Sequence, residues 1–433
     1  MKPDDGHDFG EEYATAPLPA MKTVSGWRVA LVVGCFTISL PTFLNGAEIA
    51  LSIGLVGAVL AAIAAGTILA IGGSITSAVS VMTRLNTYLL VQRSFGIAGA
   101  SLVNVVIAVI HFAWFGVNVS FFGQAMVSAA DEGYGIEGSF ALFVILGSIM
   151  MTVTTVFGFR LINKVALVTV PFLAAILIAI AVAATARNGV VFDPPEIPME
   201  AMTFGIALSS LIGADMLTIT AMPDLSRYTR TKVGAIWSMV VSFPVFAPIV
   251  MTTAALAALA MNESNIMALI VELGLGLPAL LLLVISAWTI NTLNLYSASL
   301  SLAATFPKIG RSVYVVIGGV IGCGFALLGI IEAFIPFLVL LGLLIPPIAA
   351  IYVIDSYTRF RNRDPAETIT NIPAFHWRAV GTWLAAVAIA LTAHYSGVSV
   401  TSVPALDATI GAALAYIVVL HMTKPVKKPV RAS

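Results

Sequence analysis

The stretch Leu208-Ser209-Ser210-Leu211-Ile212-Gly213-Ala214-Asp215-Met216-Leu217-Thr218-Ile219-Thr220-Ala221-Met222 sets a single carboxylate in the middle of an apolar run. At mid-bilayer depth such a group costs about 3 kcal/mol or more unless it meets a partner, a cavity or a proton. Gly213 beside it predicts a helix that breaks halfway across. Breaks of that kind near the bilayer midplane are where secondary transporters hold their substrates. Asp215 is therefore a candidate for contact with a substrate or a transported proton. It is equally a candidate cap for the second half of the broken helix, since a carboxylate accepts backbone N–H bonds well.

The rest of the chain has the composition of a membrane bundle. Of its 433 residues 59% are hydrophobic and 10% charged, and the mean hydropathy is +1.02. Apolar runs of roughly 20 residues, the length that crosses a ~30 Å hydrocarbon core, recur throughout. They predict an all-α integral membrane protein of about twelve helices, near 28–48, 52–80, 98–129, 140–158, 163–186, 202–223, 234–261, 268–304, 313–331, 333–354, 376–396 and 407–423. The run at 268–304 is too long for a perpendicular span, which predicts a helix that is tilted or extends past the bilayer. Cys35 and Cys323 lie in different apolar runs and suggest neither a disulfide nor a metal site.

Charge sets the expected orientation. With these spans, all but Arg187 of the 21 lysines and arginines fall on one side. They include Lys2, Lys22, Arg28, Arg84, Arg93, Arg160, Lys164, Arg227, Arg230, Lys232, Arg359 and Lys424. Such a bias places both termini in the cytoplasm of a multi-pass protein of the inner (plasma) membrane. Residues 1–26 are polar and acidic (Asp4, Asp5, Asp8, Glu11, Glu12) and do not read as a cleavable leader. The chain then divides into a cytoplasmic tail at 1–26, a ten-helix core at 27–354, a cytoplasmic loop at 355–375, helices 11 and 12 at 376–423, and a second tail at 424–433. Helix 1 carries Ser39, Pro41, Asn45 and Gly46, and helix 6 carries Gly213-Ala214-Asp215. Irregularities at corresponding places in two halves predict an inverted repeat of five helices.

Four helices hold the residues that could do chemistry. In helix 1, Pro41 lacks an amide donor and frees a carbonyl, and Glu48 is a titratable group near the helix end. In helix 3, His111, Trp114, Asn118 and Phe122 fall on one stripe. An indole one turn from an amide suits a flat ligand with hydrogen-bonding edges, although such stripes more often serve packing. In helix 8, Ser286, Thr289, Asn291, Thr292 and Asn294 are unusually polar, and Ala287, Asn291, Asn294 and Ala298 share a face. Their hydroxyls and amides could ligate sodium or join helices. Asp224, beside Arg227, reads as structural.

Arg93-Ser94-Phe95-Gly96, Trp114-Phe115-Gly116, Pro223-Asp224-Leu225-Ser226-Arg227-Tyr228, Trp288-Thr289-Ile290-Asn291 and Ile345-Pro346-Pro347 through Asp355 occur in order along the chain. In these stretches the sequence resembles the nucleobase–cation symporter family, in its cytosine permease (purine–cytosine permease) branch. The resemblance implies a leucine-transporter-like fold with a 5+5 inverted repeat, broken helices 1 and 6, and a central site between helices 1, 3, 6 and 8. It implies that Trp114 stacks on a planar base, that Asn118 reads its edge, that Asn291 lies beside it, and that a possible sodium sits at Ser286 and Thr289. The break expected in helix 6 adds Gly213, Ala214 and Asp215 to the expected substrate contacts, and as titratable groups Asp215 and Glu48 join Ser286 and Thr289 as ion-coupling candidates. Where the family often has an aromatic this chain has Asp215, and where it has a second hydroxyl this chain has Ile290. The first departure shifts the expected ligand from cytosine itself toward rings with N–H donors or positive charge, such as an aminopyrimidine vitamin precursor. The second shifts the coupling cation from sodium toward the proton.

The expectation is therefore a secondary importer, not an enzyme. It needs no cofactor beyond the coupling cation, and its partners are a small-molecule substrate and the bilayer. No nucleic acid and no obligatory protein partner is expected. An amine or amino-acid carrier of the same fold is the alternative. No filter motif suggests a channel.

Overall fold

The computed structural model describes residues 16–157, 160–196, 202–306 and 308–422. The acidic tail residues, Lys2 and the basic residues from Lys424 onward lie outside them, as do the side chains of Cys35, Arg160 and Lys164.

Helix α1 (Gly26–Thr37) and the long α2 (Leu40–Thr83) form the first two spans. The short α3 (Thr87–Phe95) leads into α4 (Ile97–Tyr134), the third span. Helices α5 (Phe140–Phe157) and α6 (Arg160–Asn188) complete the first half. The sixth span is α7 (Phe204–Thr220) with the one-turn α8 (Pro223–Ser226). The seventh is α9 (Lys232–Val241) and α10 (Ala247–Met261), joined by a π-helical turn at Ser242–Phe246. Helices α11 (Ile266–Glu272) and α12 (Gly276–Thr305) make the eighth, and α13 (Arg311–Leu327) the ninth. Helices α14 (Phe334–Leu344) and α15 (Pro346–Tyr357) share the tenth, divided where Pro346 and Pro347 open a new first turn. The small α16 (Pro365–Thr368) precedes α17 (Trp377–Tyr395) and α18 (Pro404–Met422). Each of the twelve apolar segments thus carries helix.

Among the described residues seven helices are long and apolar enough to cross a membrane, and Phe140–Val156, Phe204–Thr220 and Arg311–Leu327 are shorter apolar ones. Val56, Leu60, Ile63, Ile71 and Ile75 are exposed along one side of α2. A stripe like that is costly in water and suited to lipid. The protein is a multi-pass membrane protein.

Packing reflects two related halves. Helix α2 packs on both α7 and α10, α4 on α12, and α5 on α13. The first and second spans thus meet the sixth and seventh, the third meets the eighth, and the fourth the ninth. That pairing is what two five-span repeats produce.

Three local expectations need correction. The first break falls at Ile38–Ser39, ahead of Pro41, with Ser39 capping α2 through the Thr42 amide at 3.4 Å. Pro41 sits in the first turn, where its missing N–H costs nothing. The sixth span breaks at Ala221–Met222, not at Gly213, and α7 runs unbroken through Asp215. Gly213 has a different task there: a Cβ would collide with the Leu338 carbonyl oxygen, so the missing side chain lets α7 and α14 touch backbone to backbone. Asp215 is therefore not a helix cap; Thr203 caps α7 through the Ile206 amide. Finally, the long run at 268–304 is not one continuous helix. It turns at Leu273–Leu275, where Gly274 has φ +68°.

Loops that carry the lysines and arginines converge at one end of the bundle. Arg84 donates to the carbonyls of Arg227 and Thr229 at 2.6 and 2.7 Å. Val24 exchanges backbone bonds with Tyr228 and Arg230. Arg93 is almost fully buried, bonds Ser356 and lies 4.7 Å from the Phe360 ring. Asp355, also buried, pairs with Arg359 at 2.9 Å and accepts from Tyr416 at 2.9 Å. Arg359 reaches on to the His376 ring at 3.3 Å. At the opposite end Leu55 bonds the Phe192 carbonyl at 2.9 Å beside the kink at Gly54, φ +77°.

A candidate substrate cavity at the bundle centre

Four spans, the first, third, sixth and eighth, and one aromatic ring from the tenth surround a cavity of about 430 Å³. That is the size range of small-molecule sites. Its first wall is the break between α1 and α2, with Ile38, Ser39, Pro41 and Thr42. The Ser39 and Thr42 hydroxyls lie 2.9 Å apart there. Helix α4 presents His111, Trp114 and Asn118, at i, i+3 and i+7. Helix α7 presents Ala214, Asp215, Leu217, Thr218 and Ala221, and α8 adds Asp224 and Leu225. Helix α12 presents the single stripe Ser286, Thr289, Ile290, Leu293, Asn294 and Ser297. Phe334, at the start of α14, closes the remaining side.

The aromatic corner is well fixed. Trp114 meets Phe334 edge to face at 6.3 Å between centroids and Phe337 at 5.4 Å. Such contacts hold an indole in one orientation. One turn on, Asn118 Nδ2 donates to the Trp114 carbonyl at 2.9 Å. Its Oδ1 is buried with no hydrogen-bond partner among the described residues, an acceptor left over at the cavity wall. Two turns earlier on the same stripe, His111 Nδ1 donates to Asn294 Oδ1 at 3.3 Å, linking α4 to α12. The two carboxylates differ. Asp224 Oδ1 accepts the Thr87 amide at 2.8 Å, so it ties α8 to α3. Asp215 makes no hydrogen bond or ion pair with any described residue and opens onto the cavity. On α12, Thr289 donates to the Ile285 carbonyl at 2.8 Å and keeps its lone pairs free. Ser286 lies one turn before it, and Ile290 offers no oxygen.

The expected site residues thus divide. Trp114, Asn118, Ala214, Asp215, Ser286 and Thr289 come together around the cavity. Gly213 lies behind it, against Leu338. Asn291 is fully buried on the far side of α12, donating to the Phe115 carbonyl at 3.1 Å. The face expected to unite Ala287, Asn291, Asn294 and Ala298 splits accordingly: Ala287 and Ala298 join the core behind α4 and only Asn294 turns to the cavity. Phe122 belongs to that core as well. Glu48 sits in α2 outside the lining. Asn45 joins helices, accepting from Ser210 at 3.2 Å. Among the described residues no group of three or more His, Cys, Asp or Glu side chains is placed to hold a metal ion.

Phe334, Thr218 and Ser297 were not anticipated. Thr218 and Ser297 carry a retrospective signal, since each continues a stripe begun by Asp215 or Ser286 at i+3 or i+11. Phe334 carries none, because its place depends on how α14 crosses α7.

A half-polar cavity at the broken end of a helix, inside a lipid-facing bundle, is the architecture of a membrane transporter. The model of a permease family for cytosine/purines, uracil, thiamine and allantoin matches residues 17–419. The cytosine permease of Escherichia coli O157:H7 is 27% identical over 360 residues, covering 83% of this chain and 82% of its own. That of Escherichia coli strain K12 is 26% identical over the same extent. Among solved structures, the inward-facing conformation of Mhp1 superposes with a TM-score of 0.83 at 18% identity, covering 94% of this chain and 93% of that one. Mhp1, a nucleobase-cation-symport-1 family transporter, closed with bromovinylhydantoin bound, gives 0.76 at 18% identity over 96% of each. A Na+-coupled sialic acid symporter gives 0.63 at 13% identity, covering 96% and 94%. The chain belongs to the cytosine/purine, uracil, thiamine and allantoin permease family, and its fold is the leucine-transporter-like one.

Proposed function

We propose that this protein imports a nucleobase such as cytosine, or a related nitrogen heterocycle, by cation symport with alternating access. The observation that carries this is the cavity itself. It sets a braced indole beside amide and hydroxyl groups, as a flat ring with polar edges requires. Trp114 is the stacking surface, and Asn118, with its spare acceptor, reads an N–H edge. Ala214 and Asp215 form the facing wall.

The coupling ion is the proton. Ile290 withholds an oxygen from the place where Ser286 and Thr289 could otherwise build a sodium shell, whereas Asp215 can take up and release H+. The basic end of the bundle is cytoplasmic, with both termini there, in the inner (plasma) membrane. The cavity extends toward that end through Asp224, Leu225 and Ser297. This extent and the higher agreement with an inward-facing structure support an inward-open state.

Uptake of radiolabelled cytosine into proteoliposomes tests the proposal. Saturable accumulation driven by an inward pH gradient without sodium is the expected result. Accumulation that needs sodium and ignores pH would refute proton coupling. Absence of saturable uptake for every nucleobase and heterocycle tried would refute the import itself.

A further inference from the structure

We infer that Asp215 determines specificity, as the counter-group for an amino-substituted or cationic edge of the transported ring. The inference rests on the proposed function for the ring and goes beyond it in naming which ring edge is selected. Among the described residues no lysine or arginine lines the cavity, and the basic side chain in its wall, His111, is bonded to Asn294 and not to an acid. Of the two carboxylates in the lining, Asp224 is engaged by the Thr87 amide. Asp215 has no partner among the described residues and, since α7 is continuous, no helix end to cap. It shares the cavity wall with the braced indole of Trp114 and with Phe334. A ring held against those aromatics turns one polar edge toward α7. An edge with two N–H donors, or with positive charge, gains a charge-assisted bond there. A carbonyl edge faces like charge. Aromatic faces favour a cation for the same electrostatic reason.

The experiment is equilibrium competition binding on purified protein, with matched bases that differ only in amino versus carbonyl substitution: cytosine against uracil, and adenine against hypoxanthine. Wild type is expected to prefer the amino member of whichever pair it binds by at least about tenfold, the scale of a lost charge-assisted bond. Asp215→Asn keeps the shape and removes the charge; it should lower affinity for the amino member about tenfold and leave the carbonyl member unchanged or slightly improved. Asp215→Glu should keep the preference in part. Equal affinity for both members in wild type overturns the inference with no variant needed. So does a preference that survives in Asp215→Asn, whether or not that variant also loses the proton-driven uptake that the proposed function expects it to lose. Binding of none of the four bases also overturns this inference, whereas the proposed function falls only when no nucleobase or heterocycle is taken up, so the two failures are distinct.

Discussion

At the level of single residues, the side chains that line the cavity differ from those that hold its wall. Trp114 is braced by Phe334 and Phe337 and presents what remains of its surface inward. Trp114→Ala should weaken binding of the preferred base by roughly 1–3 kcal/mol, the range for losing one stacking partner. Trp114→Phe should recover part of it. Equilibrium binding on folded variants reads both, and an alanine variant with native affinity would sink the stacking role. Asn291 behaves oppositely. Its amide is spent on the Phe115 carbonyl in the core, so Asn291→Ala should lower the thermal midpoint while leaving the affinity of the remaining folded protein near wild type. Residue types alone suggested these candidates. Facing did not follow from them, because Asn291 and Asn294 lie three apart on one helix and the crossing of α12 over α4 decides which amide meets solvent.

At the level of elements, glycine placement controls how closely helices approach. Gly213 lets α7 press on the backbone of α14, and any Cβ there meets Leu338. Gly213→Ala should therefore destabilise by about 1–3 kcal/mol, the usual cost of overpacking. Gly324, in α13, has open space where a Cβ would go. Gly324→Ala should be neutral or stabilising by up to about 1 kcal/mol through helix propensity. Thermal unfolding in detergent compares the pair, and equal shifts for both would refute the packing argument. The positions of the twelve spans were readable in advance, since roughly 20 apolar residues suffice to mark one. The break in the sixth span was not located, because a glycine beside an acid reads as a helix breaker in isolation. Whether it instead serves a helix crossing depends on α14, more than a hundred residues downstream.

For the whole molecule, the basic end works as a clasp across distant segments. Arg93, Asp355, Arg359, Tyr416 and His376 link α3, α15, α17 and α18. His376, at the start of α17, is pushed down to about 4 by burial, and by the positive charges of Arg359 and Arg378. An unfolded histidine titrates near 6.5. Between those values the unfolded chain binds a proton that the folded one refuses, so stability falls as pH drops from about 6.5 toward 4. His376→Gln should flatten that decline, while at pH 8 the two proteins should differ little in this respect. Thermal midpoints across pH 4–8 check it, and parallel curves would exclude His376 as a source. The sorting of lysines and arginines was visible in the sequence; the partners that bury Arg93 and Asp355 were not, since they come from helices some 260 residues apart.

The pairing of spans across the two halves also has a consequence in time. Asn45 in α2 finds its partner Ser210 only 165 residues later. At a synthesis rate of about 5–20 residues per second, that is roughly ten to thirty seconds in which the amide is already made and its partner is not. The first half of the chain must therefore wait beside the insertion machinery with polar faces uncovered, and premature termination after α6 leaves without a partner the faces of α2, α4 and α5 that meet the second half.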